Sequence, residues 1–307
     1  VEGVRGRLAQ RGLAVACADV CRLADEFAAA VEQFERDGVD CIVTLHLAYS
    51  PSLESADVLC RTPLPLVMLD ATMDADFGRD VDPARIMYNH GIHGVQDLAS
   101  VLVRRGRSSE IVAGHAEDDA LLDRAADLVR AARAARRFQG LRAVRIGHAF
   151  VGMGDFSVPP ELLARRFDIT VETRSVGELA EITAKVTDER VEAELVADRE
   201  RFECQAPDEV HRRSVRLGLG VRDLLAGGAF AAFSANFQAF DTPDEPICTV
   251  PFLEVCKAMA RGVGYGGEGD VLSASLLAGL LAAWPQTTFT EMFCPDWAGG
   301  ALFLSHM

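Results

Sequence analysis

The chain lacks three things that would settle its class at once: an excess of positive charge, a long apolar run, and a paired-cysteine motif. Lysine and arginine number 31 against 46 aspartates and glutamates, a formal net charge of −15. That charge repels phosphate backbones and anionic membrane surfaces, so neither nucleic acid nor a membrane is expected as a partner. The densest basic stretch, residues 130–137, falls on an amphipathic helical pattern, and a solvated helix face is its simplest reading. No apolar run reaches the roughly 18 residues of a membrane span, and no signal-peptide pattern is read. The eight cysteines form no C-x-x-C pair. In a chain too long for a disulfide scaffold they read as reduced thiols, so a cytoplasmic location is expected. No internal repeat or low-complexity tract is visible.

What is there is ordinary globular material, 49% hydrophobic and 25% charged over 307 residues, enough for two domains or one and part of another. The first half alternates strand and helix. Short apolar runs at 13–20, 41–47, 65–70 and 110–115 read as strands. Helical patterns run through Phe27 to Phe34, from about residue 88 to 105, and over 117–137. A second unit starts near Gly140, with strands over 142–148, 168–174 and 229–237, a glycine-rich loop after the first of them, and helices at 160 onward and within 176–226. Pro251 opens a further helix, and residues 270–284 read as another with Asp270 as N-cap. After Pro285 two strand-like segments follow with no helix between them. The expected fold is α/β: two open parallel-sheet, Rossmann-like domains followed by the start of an antiparallel β domain. The expected boundaries are 1–139 (with a first strand missing), 140–285, and 286–307. The chain opens at Val1 without a methionine and stops at Met307 inside an apolar run, which reads as a piece of a longer protein lacking something on both sides.

Three residues carry the sharpest chemistry. Glu268 sits among glycines in G-V-G-Y-G-G-E-G-D (262–270), Glu291 closes T-T-F-T-E, and His306 ends L-F-L-S-H. The glycines suit a close backbone approach or left-handed turns. A dinucleotide fingerprint is not expected, because that motif follows a strand and the segment before this one reads as helical. Phe289, Glu291 and Phe293 share one face by alternation. A carboxylate on such a face is costly unless it is paired or holds a metal. An exposed turn glutamate, a solvent-facing Glu291 and a core His306 are the plain alternatives. Two carboxylates and an imidazole suit Mn²⁺ or Mg²⁺ better than structural zinc. Two polar loops stand apart from these: H-L-A-Y-S-P (46–51), at a strand end where α/β sheets place ligands, and N-H-G-I-H-G (89–94). His90 and His93 in the second loop are neighbours if helical.

The segments 264–270, 287–291 and 304–307 resemble the L-arabinose isomerase family, within the wider L-fucose/L-arabinose isomerase superfamily. Ser-Ala-Asn-Phe (234–237) and the loops 45–51 and 89–94 are similar to further family segments. The resemblance is strongest in the last 45 or so residues and weakest between 150 and 225. Residues 147–156 depart toward the fucose-isomerase side, and 292–295 replace the family's polar aromatic run. The resemblance implies a metal-dependent aldose–ketose isomerase that interconverts a sugar such as L-arabinose and L-ribulose through a cis-enediol. An L-fucose-type isomerase or a non-catalytic sugar-binding α/β protein is the alternative. It implies that Glu268 and Glu291 are both catalytic carboxylates and metal ligands, that His306 is a third ligand, and that the family's fourth, a histidine, lies beyond residue 307. Tyr49, His93 and Phe237 would line the sugar pocket, His93 arriving from a neighbouring subunit of a homo-oligomer, a trimer or hexamer. The implied cofactor is a divalent cation, manganese first, with magnesium or cobalt as alternatives.

Overall fold

The computed structural model describes residues 1–240, 247 and 249–305. It divides into two units, residues 1–133 and 134–307. The first contains α1 (Glu2–Gln10), α2 (Ala24–Arg36), β1 (Ile42–Leu45), α3 (Leu53–Arg61), β2 (Leu66–Thr72), α4 (Gly91–Arg104), β3 (Glu110–His115) and most of α5 (Asp119–Phe138). The three strands form one parallel sheet in the order β1-β2-β3. Alternation sorts their side chains onto two faces. Ile42, Leu66 and Met68 pack with residues of α2, α3 and α4, while Val67, Leu69 and Val112 pack with α1 and α5.

One expectation fails in this unit, and one helix was not anticipated. Residues 13–20 form no strand. Leu13 and Val15 rest against the core of the α1 and α5 face, but no neighbouring strand hydrogen-bonds the segment among the described residues, and apolar content alone does not make a strand. The stretch after Pro51, given no element from the sequence, forms α3. Its Ser55, Ala56, Val58 and Leu59 are buried, a helical spacing too short to stand out in the sequence.

The second unit holds β4 (Arg142–Ile146), α6 (Pro160–Phe167), β5 (Thr170–Arg174), α7 (Val176–Thr183), α8 (Asp188–Arg201), α9 (Asp208–Gly227), β6 (Ala232–Ala235), α10 (Phe252–Ala260), β7 (Gly264–Gly267), α11 (Val271–Ala283), β8 (Glu291–Asp296) and β9 (Ala301–Ser305). A four-stranded parallel sheet runs β5-β4-β6-β7. One face, through Val144, Ile146, Phe233, Ala235 and Tyr265, packs on α7, α9 and α10. The other, through Ala143 and Ala232, packs on α6 and α11. The β8–β9 pair is a separate antiparallel hairpin with a bulge between Met292 and Cys294. The α/β class with parallel sheets and a terminal antiparallel hairpin is therefore the observed one.

Helices α8, α9 and α10 are joined by charge as well as packing. Arg222 donates to both oxygens of Glu194 at 2.9 and 3.1 Å, and Lys257 Nζ donates to Glu194 Oε1 at 2.7 Å. The Arg222 hydrogen bonds hold the Glu194 carboxyl down to about 2, with Lys257 assisting and burial opposing. A folded-state value below the unfolded 4.5 stabilises the fold fully above that pH, and the contribution disappears as pH falls toward about 2. Wild-type unfolding midpoints in denaturant should fall across this acid window, and Glu194→Gln should flatten the fall. Identical acid profiles for the two proteins would remove Glu194 from the account.

Candidate functional site

The order β5-β4-β6-β7 contains a topological switch: the chain leaves β4 toward β5 on one side and later returns to β6 on the other. In open α/β sheets the crevice beyond the carboxyl ends of such a strand pair is where ligands bind. Here that crevice is edged by residues 147–150 after β4 and 236–240 after β6. Asn236, fully buried, donates to His148 Nδ1 at 3.2 Å, and its Oδ1 accepts from Gln238 N at 3.1 Å. Gln238 Oε1 accepts from Val151 N at 3.2 Å. These bonds tie the two loops together. The ring of Phe237, about half exposed, meets Phe150 edge-on at 5.4 Å, which places Phe237 at this edge.

The glycine segment before Glu268 is a strand rather than a loop, which corrects the sequence reading. Glycine has poor strand propensity, so β7 left no signal. It is needed there because α11 lies directly on it. A Cβ at Gly264 would stand 2.1 Å from Ala274 O, and one at Gly266 2.5 Å from Asp270 O. A strand, a glycine turn and a helix do follow one another here, yet an anionic pyrophosphate finds no vacancy at the helix N-terminus. The Asp270 carboxylate already caps it, accepting from Leu272 N and Ser273 N at 3.0 Å, with Glu268 beside it.

Glu268 has φ 60, the left-handed region that costs an L-residue about 1–2 kcal/mol. Strain of this kind persists where surrounding structure enforces it, and it concentrates at functional sites. Glu268 N donates to Ala235 O at 3.1 Å, and Phe150 N donates to Glu268 O at 2.9 Å. Gly269, also at positive φ, leaves no room for a side chain, since a Cβ would be 2.5 Å from Ala149 Cα.

Glu291 opens β8, opposite Ser305. The strand begins there and not at Thr287, because Phe289 turns inward and meets the Tyr265 ring edge-on at 5.6 Å. Glu291 is half-buried while Met292 is 80% exposed, so Glu291 lies on the more protected face, as the alternation predicts. Tyr265, only 2% exposed on β7, feels the charge of both carboxylates. Burial pushes its phenol well above the usual tyrosine range, and the negative charges of Glu268 and Glu291 push it further. Both glutamates thus lie within electrostatic reach of one buried hydroxyl. In kind, two carboxylates suit a hard divalent cation. In number the donors are incomplete: among the described residues no group of three or more metal-ligating side chains comes together, and His306 lies outside them.

Tyr49 and His93 belong to the first unit. The Tyr49 ring stacks on His90 at 5.5 Å, and His90 lies 5.1 Å from His93. Behind them α4 presses on His46: a Cβ at Gly91 would be 2.4 Å from His46 O, and one at Gly94 2.8 Å from its Cδ2. Burial pushes the His46 imidazole down. Its Nδ1 and the Thr44 hydroxyl are buried without a hydrogen-bond partner.

Arg145, Ser234, Tyr265 and His148 were not singled out from the sequence. Arg145 between the apolar residues Val144 and Ile146 of β4, and the single serine of β6, were the available signal.

Residues 163–283 match the family model of the L-arabinose isomerase central domain. The L-arabinose isomerase of Nocardioides sp. is 30% identical over 211 residues, 64% of this chain and 40% of that protein. That of Geobacillus kaustophilus is 28% identical over 265 residues, 81% of this chain and 52% of that protein. That of Herpetosiphon aurantiacus is 27% identical over 205 residues, 64% of this chain and 40% of that protein. The chain spans about half the length, or less, of the curated relatives it matches. On these matches the chain is similar to L-arabinose isomerases, and residues 163–283 match the model of that family's central domain.

Proposed function

We propose that the protein works as an aldose–ketose sugar isomerase, with L-arabinose to L-ribulose as the reaction and an L-fucose-type sugar as the alternative substrate. The observation that carries this reading is the pair Glu268 and Glu291: Glu268 follows β7 in a left-handed turn at φ 60, and Phe289, two residues before Glu291, packs edge-on against Tyr265 of that strand at 5.6 Å. One glutamate removes the proton from C2 of the open-chain sugar and returns it to C1 through a cis-enediol, while the other moves the hydroxyl proton between O1 and O2. Positioned acid–base groups of this kind contribute roughly 10²–10⁴-fold.

Glu268, Glu291 and His306 would hold a divalent cation, manganese first and magnesium or cobalt as alternatives. When bound, the cation supplies polarisation of the carbonyl and neutralises charge on the developing oxyanion. Phe237 offers the sugar an apolar wall from the second unit. Tyr49 and His93 would complete the pocket, His93 from a neighbouring copy in a trimer or hexamer. A cytoplasmic homo-oligomer acting on a small free sugar is consistent with the acidic charge and with the absence, among the described residues, of any helix long and apolar enough to cross a membrane.

The test is ketose formation from L-arabinose and from L-fucose by the purified protein, with added Mn²⁺ and after chelation. Metal-dependent ketose formation is the expected result. A protein that binds sugar but makes no ketose under either condition would be a sugar-binding member of the fold, and the isomerase reading would be lost.

A further inference from the structure

Ser234 is fully buried on β6, and its hydroxyl is used in two directions. Oγ donates to Gly266 O at 2.6 Å, with Gly267 O at 3.1 Å, and accepts from Gly269 N at 2.9 Å. Its partners lie on both sides of Glu268, so one side chain spans the turn that carries the candidate acid–base group. The alternation of β6 makes this possible. Phe233 and Ala235 fill the α9 and α10 face, which leaves Ser234 on the α11 face, where Gly264 and Gly266 lack side chains.

Other contacts close the same turn, two of them from other strands. Arg145 Nε on β4 donates to Gly269 O at 3.0 Å, Asp270 N donates to Gly267 O at 2.9 Å, and Glu268 N donates to Ala235 O at 3.1 Å. A glutamate at φ 60 does not hold that conformation by its own preference, because a side chain at positive φ is disfavoured by sterics. The surroundings must supply it, and the Ser234 side chain grips the turn on both sides of the strained residue.

We infer that Ser234 is a positioning residue for Glu268: its hydroxyl clips Gly266 to Gly269 and thereby fixes where the Glu268 carboxylate is held. Strand β6 then does more than form the sheet. It sets the geometry of the carboxylate on the neighbouring strand's turn, with Arg145 bracing the far end from β4.

The inference rests on the reading of Glu268 as a site carboxylate, so its test has an arm independent of turnover. That arm is peptide-resolved amide hydrogen exchange over 264–272 in the full chain. Ser234→Ala removes the acceptor of the Gly269 amide, and exchange in this peptide should rise by about tenfold or more, while peptides from β4 and α9 stay protected. The second arm is the affinity for Mn²⁺ alone, followed by kcat and KM with L-arabinose. A carboxylate displaced by about 1 Å costs on the order of 10²-fold in rate. The expected result is a fall in kcat and weaker Mn²⁺ binding, with KM moved less than about threefold. Ser234→Thr, which keeps an oxygen at the same place, should return exchange and kcat toward wild type. Ser234→Cys keeps the volume with a much weaker donor and acceptor, and it should follow the alanine variant if that variant folds poorly.

Unchanged exchange over 264–272 in both Ser234→Ala and Ser234→Cys overturns the clip. Faster exchange with wild-type kcat and Mn²⁺ affinity overturns the positioning role. A wild-type protein that neither binds Mn²⁺ nor makes ketose defeats the isomerase reading instead, and the exchange arm alone then decides whether Ser234 holds the turn.

Discussion

Glu268→Gly is expected to give a protein that melts at or above wild type and has lost sugar turnover by roughly 10²–10⁴-fold. The two effects share one cause. At φ 60 the glutamate pays about 1–2 kcal/mol that glycine does not pay. Glycine gives back about 0.5–1 kcal/mol through the entropy of the unfolded chain. The balance is near zero to about 1 kcal/mol in favour of the variant, or up to about 2–4 °C for a domain of this size. Glu268→Gln separates the contributions, since it keeps the strain and the shape and removes only the base. It should melt close to wild type and lose turnover to the same extent, as should Glu291→Gln. The assays are thermal unfolding and ketose formation on the same preparations. Turnover retained by Glu268→Gln would remove the glutamate from the chemistry. A glycine variant that melts several degrees lower would mean that contacts of the Glu268 side chain outweigh its backbone strain. A residue that is strained and destabilising yet kept in place is what a trade of stability for activity predicts.

How much of this could be read from residues alone depended on which physical signal each feature leaves. The capping role of Asp270 was legible because an N-cap is a local chemical pattern, and the structure gives it both expected donors. The strand Glu110–His115 was legible because a short β-branched run between turn residues has few other uses. Strand β7 was not, since glycine carries no strand preference and its four residues are a strand only because β6 pairs with them and α11 covers them. Residues 13–20 failed in the opposite sense: the preference is there and the pairing partner is not. Glu268 could be noticed as a carboxylate among glycines, but its left-handed backbone and the hydroxyl that grips it depend on register between strands. Ser234 is 34 residues away in the chain, and nothing local connects it to the turn. Composition and period report what a segment can do; long-range register decides what it is used for.

Lys257→Met is expected to destabilise the second unit by about 3–5 kcal/mol, the usual cost of removing one member of a buried charge network. For a domain of 150–250 residues this corresponds to a fall in Tm of roughly 6–20 °C. Lys257 lies between two carboxylates, donating to Glu194 at 2.7 Å and pairing with Asp198, whose other oxygen meets His211 Nε2 at 2.8 Å. Its loss leaves Asp198 with His211 alone and Glu194 with Arg222 alone. Both carboxylates then sit among buried helices with less positive charge than before. Glu254 makes the instructive contrast. It is only 1% exposed and accepts from Arg222 at 3.0 and 3.3 Å and from Arg261. Yet Glu254→Gln should cost less, because Arg222 keeps both of its bonds to Glu194, and Arg261, more than a third exposed, can turn to water. The order of severity therefore follows which charge is stranded, not which residue is most buried. Adding Glu194→Gln to Lys257→Met should recover part of the loss, because the second change removes one of the stranded anions. Denaturant unfolding of the two single variants and the double variant checks all three statements. If Lys257→Met unfolds within about 1 kcal/mol of wild type, the level of a surface pair, the charge network is not what holds α8 against α10, and the packing of Leu253 of α10 on the cluster that contains Val191 and Leu195 is sufficient.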